Sequence, residues 1–163
     1  MGFFSATDAV MALRLIVALI LGAMVGYERE YVGKSAGVRT YSLVSLGACL
    51  FTLISLFGIS QIPDIAMPST EAFRLNYDVT RIVSQIVVGI GFLGAGIIIF
   101  RGSRIEGLTT AAGFWVAAAI GTTVGFGFYG LAVLTTVLVL FIFFIVKRFE
   151  PPDHPLQDDA VSR

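Results

Sequence analysis

Two arginines stand inside stretches that are otherwise apolar, Arg14 within Ala9–Tyr27 and Arg81 within Val79–Phe100. A guanidinium keeps its proton at any accessible pH. In an apolar setting it must therefore either snorkel to a polar surface or meet an anion. Both arginines lie a turn or two inside the boundary of their stretch, and Asp8 and Asp78 stand near the same boundary. Gln85 lies one helical turn beyond Arg81 and extends its polar face. The chemistry on offer is a cationic feature near one surface that meets a carboxylate or a lipid phosphate.

A second polar group brackets a short connection, with Glu28-Arg29-Glu30 at one side and Arg39-Thr40 at the other. Glu30 and Lys34 are spaced for an i,i+4 ion pair if the preceding helix continues. Two carboxylates suit a hard cation such as Mg²⁺, but the adjacent positive charges make a poor metal site. The expectation is a solvated interfacial charge cluster without a bound metal. His154 and Cys49 are single residues of their kind, which excludes a His/Cys zinc site. No Ser/His/Asp, Cys/His or paired-carboxylate arrangement points to an enzyme, and nothing calls for a cofactor or for nucleic acid.

Gly89-Ile-Gly91-Phe-Leu-Gly94-Ala-Gly96 matches a dinucleotide-binding fingerprint in letters only. That fingerprint needs a strand before it and a helix after it, whereas these glycines sit within an apolar run. They are expected to give tight helix packing, with a kink or an unwound carbonyl-lined segment as the alternatives.

Five long apolar runs must position these groups: Ala9–Tyr27, Tyr41–Ile59, Val79–Phe100, Thr109–Gly125 and Gly127–Val146. Of 163 residues 56% are hydrophobic and 13% charged, and the mean hydropathy is +0.89, which no water-soluble domain of this size could bury. A spanning helix needs about 20 mostly apolar residues. The fold class expected is all-α, a polytopic membrane protein with a five-helix transmembrane bundle over residues 1–149. Residues 150–163, with three prolines and four acids, read as a disordered cytoplasmic tail. Arg29, Lys34 and Arg39 fill the first loop, Arg101 and Arg104 the third, and Lys147-Arg148 opens the tail. Arg74 alone falls on the other side, in the outer loop Ser60–Asp78. The positive-inside rule then puts the N-terminus out and the C-terminus in.

Span four is rich in alanine and glycine, which lets backbones approach closely, so it belongs inside the bundle. Span five is bulky all round and suits lipid. Gly22-x-x-x-Gly26 and Gly121-x-x-x-Gly125 mark helix crossings, within the chain or between two copies. Thr109 and Thr110 open span four, as caps of its first turn or as ligand contacts. Trp115 lies too deep for an interfacial belt, so a packed or partner-facing place is expected.

The stretches Arg14-Leu15-x-x-Ala18-x-x-x-Gly22-x-x-x-Gly26-Tyr27-Glu28-Arg29-Glu30, Ala36-Gly37-Val38-Arg39-Thr40, Leu46-Gly47-Ala48, the glycine run Gly89–Gly96 and Gly107-Leu108-Thr109-Thr110-Ala111-Ala112-x-x-Trp115 occur in an order and spacing that resembles the MgtC/SapB family of bacterial membrane proteins. The resemblance implies a multi-pass protein of the bacterial inner membrane, linked to Mg²⁺ homeostasis and, in some pathogens, to virulence. It implies the F-type ATP synthase as a candidate partner; with the small-residue faces, the two arginines and the lack of catalytic groups, the expectation is a non-enzymatic regulator that contacts another membrane protein, and the GxxxG pairs leave a homo-oligomer open. Ion or Mg²⁺ transport is the alternative. It also implies a short form, the membrane domain alone, without the ACT-like cytoplasmic domain of longer members.

Overall fold

Long runs of Ala, Leu, Val, Ile and Gly without interior proline leave the helix as the way to bond every backbone group in a hydrocarbon solvent. The computed structural model describes residues 6–57, 79–102 and 104–149. Over these the chain forms α1 (Ala6–Tyr31), α2 (Val38–Phe57), α3 (Val79–Ile97), α4 (Leu108–Gly125) and α5 (Tyr129–Phe149). The first four are long and apolar enough to cross a membrane, and α5 is apolar over Tyr129–Ile145. Asp78, the rest of the loop Ser60–Asp78 and the tail 150–163 lie outside the described residues.

Most helix ends shift by a few residues from the expected spans, α1 running on to Tyr31 and α2 starting at Val38, and two shifts change the connections. Span three stops at Ile97 rather than Phe100. Strands β1 (Ile99–Arg101) and β2 (Arg104–Glu106) follow it as an antiparallel hairpin, pairing Ile99 with Glu106 and Phe100 with Ile105. Ile98, Ile99 and Ile105 are β-branched and favour this conformation. Gly102, at φ 60°, takes the left-handed turn that such a hairpin requires. The architecture is thus an all-α bundle carrying one small hairpin. Span five begins at Tyr129 rather than Gly127, because Gly127 sits at φ 88° and turns the chain between α4 and α5.

The core centres on α2, which lies between α1 and α4. Tyr41, Ser45, Ala48, Cys49, Thr52 and Leu53 of α2 are all buried. Glycines make the close approach. A Cβ on Gly22 would stand 2.7 Å from Ser45 Cβ, one on Gly26 2.8 Å from Val38 Cα, and one on Gly125 2.6 Å from Thr52 Cβ. Gly121 likewise backs onto the Ser45 carbonyl and Gly113 onto the Tyr41 ring. Both GxxxG pairs therefore serve crossings within the chain. The Ser45 hydroxyl donates to the Ala18 carbonyl at 2.8 Å and adds a polar tie between α1 and α2. Tyr41 meets Phe114 edge-to-face with centroids 5.1 Å apart.

As expected, α4 is interior: half of its residues are buried, Ala117, Ala118 and Ile120 among them. Leu131, Leu134, Leu138, Phe141 and Phe144 of α5 face outward. The glycines of α3 depart from expectation. Gly94 alone approaches a neighbour, with a Cβ position 3.5 Å from Ala111 Cβ, while Gly89, Gly91 and Gly96 face open space. Three of the four glycines thus face away from α2 and α4, the helices against which α3 packs.

Gly22→Val forces the α1–α2 contact apart and is expected to cost about 1–3 kcal/mol by overpacking. Gly91→Ala fills open space and is expected to be neutral or to stabilise by up to about 1 kcal/mol through helix propensity. Thermal unfolding of the two variants in mild detergent measures the contrast.

Candidate functional site

The candidate residues divide between the two ends of the bundle. At one end the start of α1, the end of α2 and the end of α4 converge on Arg14. The last carbonyls of a helix have no partner within it. Here Phe126 N–H donates to the Thr122 carbonyl, Phe128 N–H to Thr123 and Gly127 N–H to Val124, a closure that needs the left-handed Gly127. This leaves the Gly125 carbonyl, and Arg14 NH1 donates to it at 2.7 Å. A cation at a helix C-terminus also suits the helix dipole. The guanidinium lies 5.9 Å from the centroid of Phe57 on α2. A Cβ at position 127 would stand only 3.1 Å from Arg14 NH2. Arg14 thus turns into the bundle and ties α1 to α4 beside Phe57 of α2, with its Nε buried and without a hydrogen-bond partner among the described residues.

Arg81 is exposed on α3, as is Gln85 on the same side of that helix. The structure does not bring Arg81 and Arg14 into one cationic feature, since Arg14 turns inward. Asp78, the proposed neighbour of Arg81, is outside the described residues.

The opposite end carries the second group. Glu30 and Arg39 are exposed, but Arg29 is 4% exposed and so departs from the expected solvated cluster. Its guanidinium lies 4.4 Å from the centroid of Phe143 on α5, and NH1 lies 3.6 Å from Glu28 Oε2. The side chain is buried because Tyr31 ends the helix and Gly33, at φ 75°, folds the loop back, with Lys34 N–H donating to the Arg29 carbonyl. Arg29 Nε and Glu28 Oε2 are buried without a hydrogen-bond partner.

Glu30 does not pair with Lys34, since the helix stops one residue later. Its Oε2 accepts from Val38 N–H at 3.0 Å instead, which caps the first turn of α2 with a negative charge. Glu28 and Glu30 thus serve different partners and do not converge on a cation. Among the described residues no three His, Cys, Asp or Glu side chains gather as metal ligands. Arg39 is exposed beside this end and Thr40 is half-buried.

Thr109 and Thr110 do not cap α4. The N-cap is Gly107, at φ 91°, and no side chain bonds the first turn there. A Cβ on Gly107 would collide with the Ile97 carbonyl, so the chain passes tightly from α3 to α4. Thr110 is buried and its carbonyl accepts from the Tyr41 hydroxyl at 3.4 Å, while Thr109 is exposed. Trp115 is 49% exposed and lines a shallow apolar groove with Val83, Val87 and Ile90 of α3. Of the α3 candidates, Gly94 faces Ala111, and Gly91 and Gly96 face outward. The sequence reading missed Phe143 and Gly127. Phe143 stands in a run of bulky residues that gives no cue, whereas Gly127 between two aromatics was a turn signal.

Arg14→Leu leaves the Gly125 carbonyl unbonded and is expected to lower stability by about 1–3 kcal/mol. Arg29→Leu leaves the Glu28 carboxylate without its cation. The expected loss is about 2–3 kcal/mol, below the range for a fully buried pair because Glu28 keeps 18% exposure. Adding Glu28→Gln to Arg29→Leu is expected to restore part of it. Unfolding midpoints in detergent test both.

The chain matches the model of the MgtC family over residues 15–151. It is 40% identical over 130 residues to the putative magnesium transporter YhiD of Escherichia coli (strain K12), covering 80% of this chain and 57% of the relative. It is 39% identical over 128 residues to protein MgtC of Salmonella typhimurium (strain LT2), covering 78% and 48%. Protein SrpB of Synechococcus elongatus is 32% identical over 148 residues, covering 86% and 76%. The chain thus spans about half the length of the YhiD and MgtC relatives. No solved structure matches it. With the matched residues running from within α1 to the end of α5, the chain belongs to the MgtC family of membrane proteins.

Proposed function

We propose that this chain acts in a bacterial inner membrane as a regulator without catalytic chemistry. It crosses five times with the N-terminus out, serves adaptation to low Mg²⁺, and works by lateral contact with another membrane protein. The observation that carries this reading is the different use of the two arginines. Arg14 is engaged inside the bundle on the Gly125 carbonyl, whereas Arg81 is exposed on α3. An exposed guanidinium near a membrane boundary is suited to a carboxylate on a neighbouring protein. The proton-carrying carboxylate of an F-type ATP synthase ring has that chemistry. The basic first loop supports the orientation, and the relative named MgtC supports the link to magnesium.

The second reading is Mg²⁺ transport, favoured by the name of the relative from E. coli. Its path would run beside the glycines of α3.

ATP-driven proton pumping in inverted membrane vesicles tests the first reading. The wild-type chain is expected to slow pumping, and Arg81→Gln to weaken that inhibition about tenfold, equivalent to ~1.4 kcal/mol of contact energy. Equal pumping with wild type, Arg81→Gln and no added protein removes the ATP synthase. Saturable Mg²⁺ entry into liposomes, abolished by Gly91→Leu or Gly94→Leu, would replace the regulator with the transporter.

A further inference from the structure

Glycine in a helix interior costs about 1 kcal/mol relative to alanine. Gly22, Gly26, Gly113, Gly121 and Gly125 offset that cost, since each stands where a Cβ would strike an adjacent segment of the chain. Gly89 and Gly96 of α3 do not, for neither has an atom within 4 Å of its Cβ position. At about 100° per residue, Gln85, Gly89, Phe92 and Gly96 fall within about 60° of one another, and Gly94 lies on the opposite side. Gly94 is the glycine that touches α4. The stripe from Gln85 to Gly96 therefore faces away from the rest of the bundle.

Two further features lie on that stripe. Phe92 is 81% exposed and projects between the two glycine hollows. Gln85 is exposed, about 9 Å along the helix from Val79, and its carboxamide has no hydrogen-bond partner among the described residues. In hydrocarbon an unbonded amide is costly, and side-chain amides bond across helix pairs instead.

We propose that this face of α3 is the seam of a homodimer. Two copies of α3 run side by side about a two-fold axis along the membrane normal. Each Phe92 ring fills the hollow at Gly89 or Gly96 of the other copy, and the two Gln85 carboxamides bond to each other. The surface fits a second copy because it complements itself. A carboxamide carries both a donor and an acceptor, and one stripe holds both the projection and the hollows, as an isologous contact requires. The stripe from Gln85 to Gly96 is uncharged, so a charged partner gains nothing there. Arg81, about 40° off the line and one turn toward the helix start, remains at the rim. The proposal requires α3 to lie in the bilayer and does not depend on any partner of Arg81.

Cysteine cross-linking of the full chain in native membranes tests it. Cys49 is fully buried and is replaced by alanine. Gln85→Cys and Val88→Cys then add single reporters on the seam and at its edge, in exposed positions that leave Gly89, Phe92 and Gly96 as they are. Val87→Cys and Leu134→Cys are exposed controls on other faces. A disulfide needs Cα atoms within about 7 Å, so only seam positions can form a linked dimer. The expected result is dimer at positions 85 and 88 and little at 87 and 134. Adding Gln85→Leu to the Val88→Cys reporter is expected to weaken dimerisation roughly 3- to 30-fold. Equal yield at seam and control positions, no seam dimer, or seam adducts with a different protein would each overturn the proposal.

Discussion

A helix leaves its last carbonyls and first N–H groups without partners inside itself, so groups from elsewhere in the chain must meet them or leave them to solvent. Helix α1 does this for both of its close neighbours. Near its start, Arg14 donates to the Gly125 carbonyl that the closing turn of α4 leaves over. Near its end, Glu30 accepts from Val38 N–H at the first turn of α2. The signs are right in each case, a cation on a C-terminus and an anion on an N-terminus. These two bonds fix the register of α1 along the bundle, and the other contacts follow from that register.

With α1 so placed, Gly22 and Gly26 fall opposite Tyr41 and Ser45, and α2 in turn meets Gly113, Gly121 and Gly125 of α4. Lipid offers these helices no hydrophobic gain from association, so close van der Waals contact and a few hydrogen bonds must hold them. The glycines provide the first, and Ser45 to Ala18 is one of the second. Helices α3 and α5 lie outside this trio. Arg29 anchors α5 through the Phe143 ring at the end that carries the first loop.

The apolar runs made the helices readable, and the alanine and glycine content of α4 made its interior place readable, because both follow from solvent and side-chain size. The two GxxxG pairs were readable as crossings but did not name their partner. The role of α2 was not seen, although buried Ser45, Thr52 and Ser55 along one apolar helix were a usable cue. Arg14 and Arg81 look alike in sequence. Only the tertiary position of Gly125, more than a hundred residues away, separates them. The burial of Arg29 was hidden for the same reason, since Phe143 reaches it from the last helix. The β1–β2 hairpin was lost because Ile98, Ile99 and Phe100 continue an apolar run, where hydropathy does not distinguish strand from helix.

The placement of the glycines also bears on what this fold can transport. Between α1, α2 and α4 the packing is so close that Gly22, Gly121 and Gly125 have no room for a methyl group beside α2, and Gly113 has none beside the Tyr41 ring. A hydrated divalent cation is far larger, and Mg²⁺ dehydrates reluctantly. A route through that trio would have to break the Arg14 bond and open the glycine contacts together. The looser ground is around α3, where one glycine meets α4 and three meet nothing. The room left in this bundle is therefore at its periphery, with the α1–α2–α4 trio as the frame against which α3 rests.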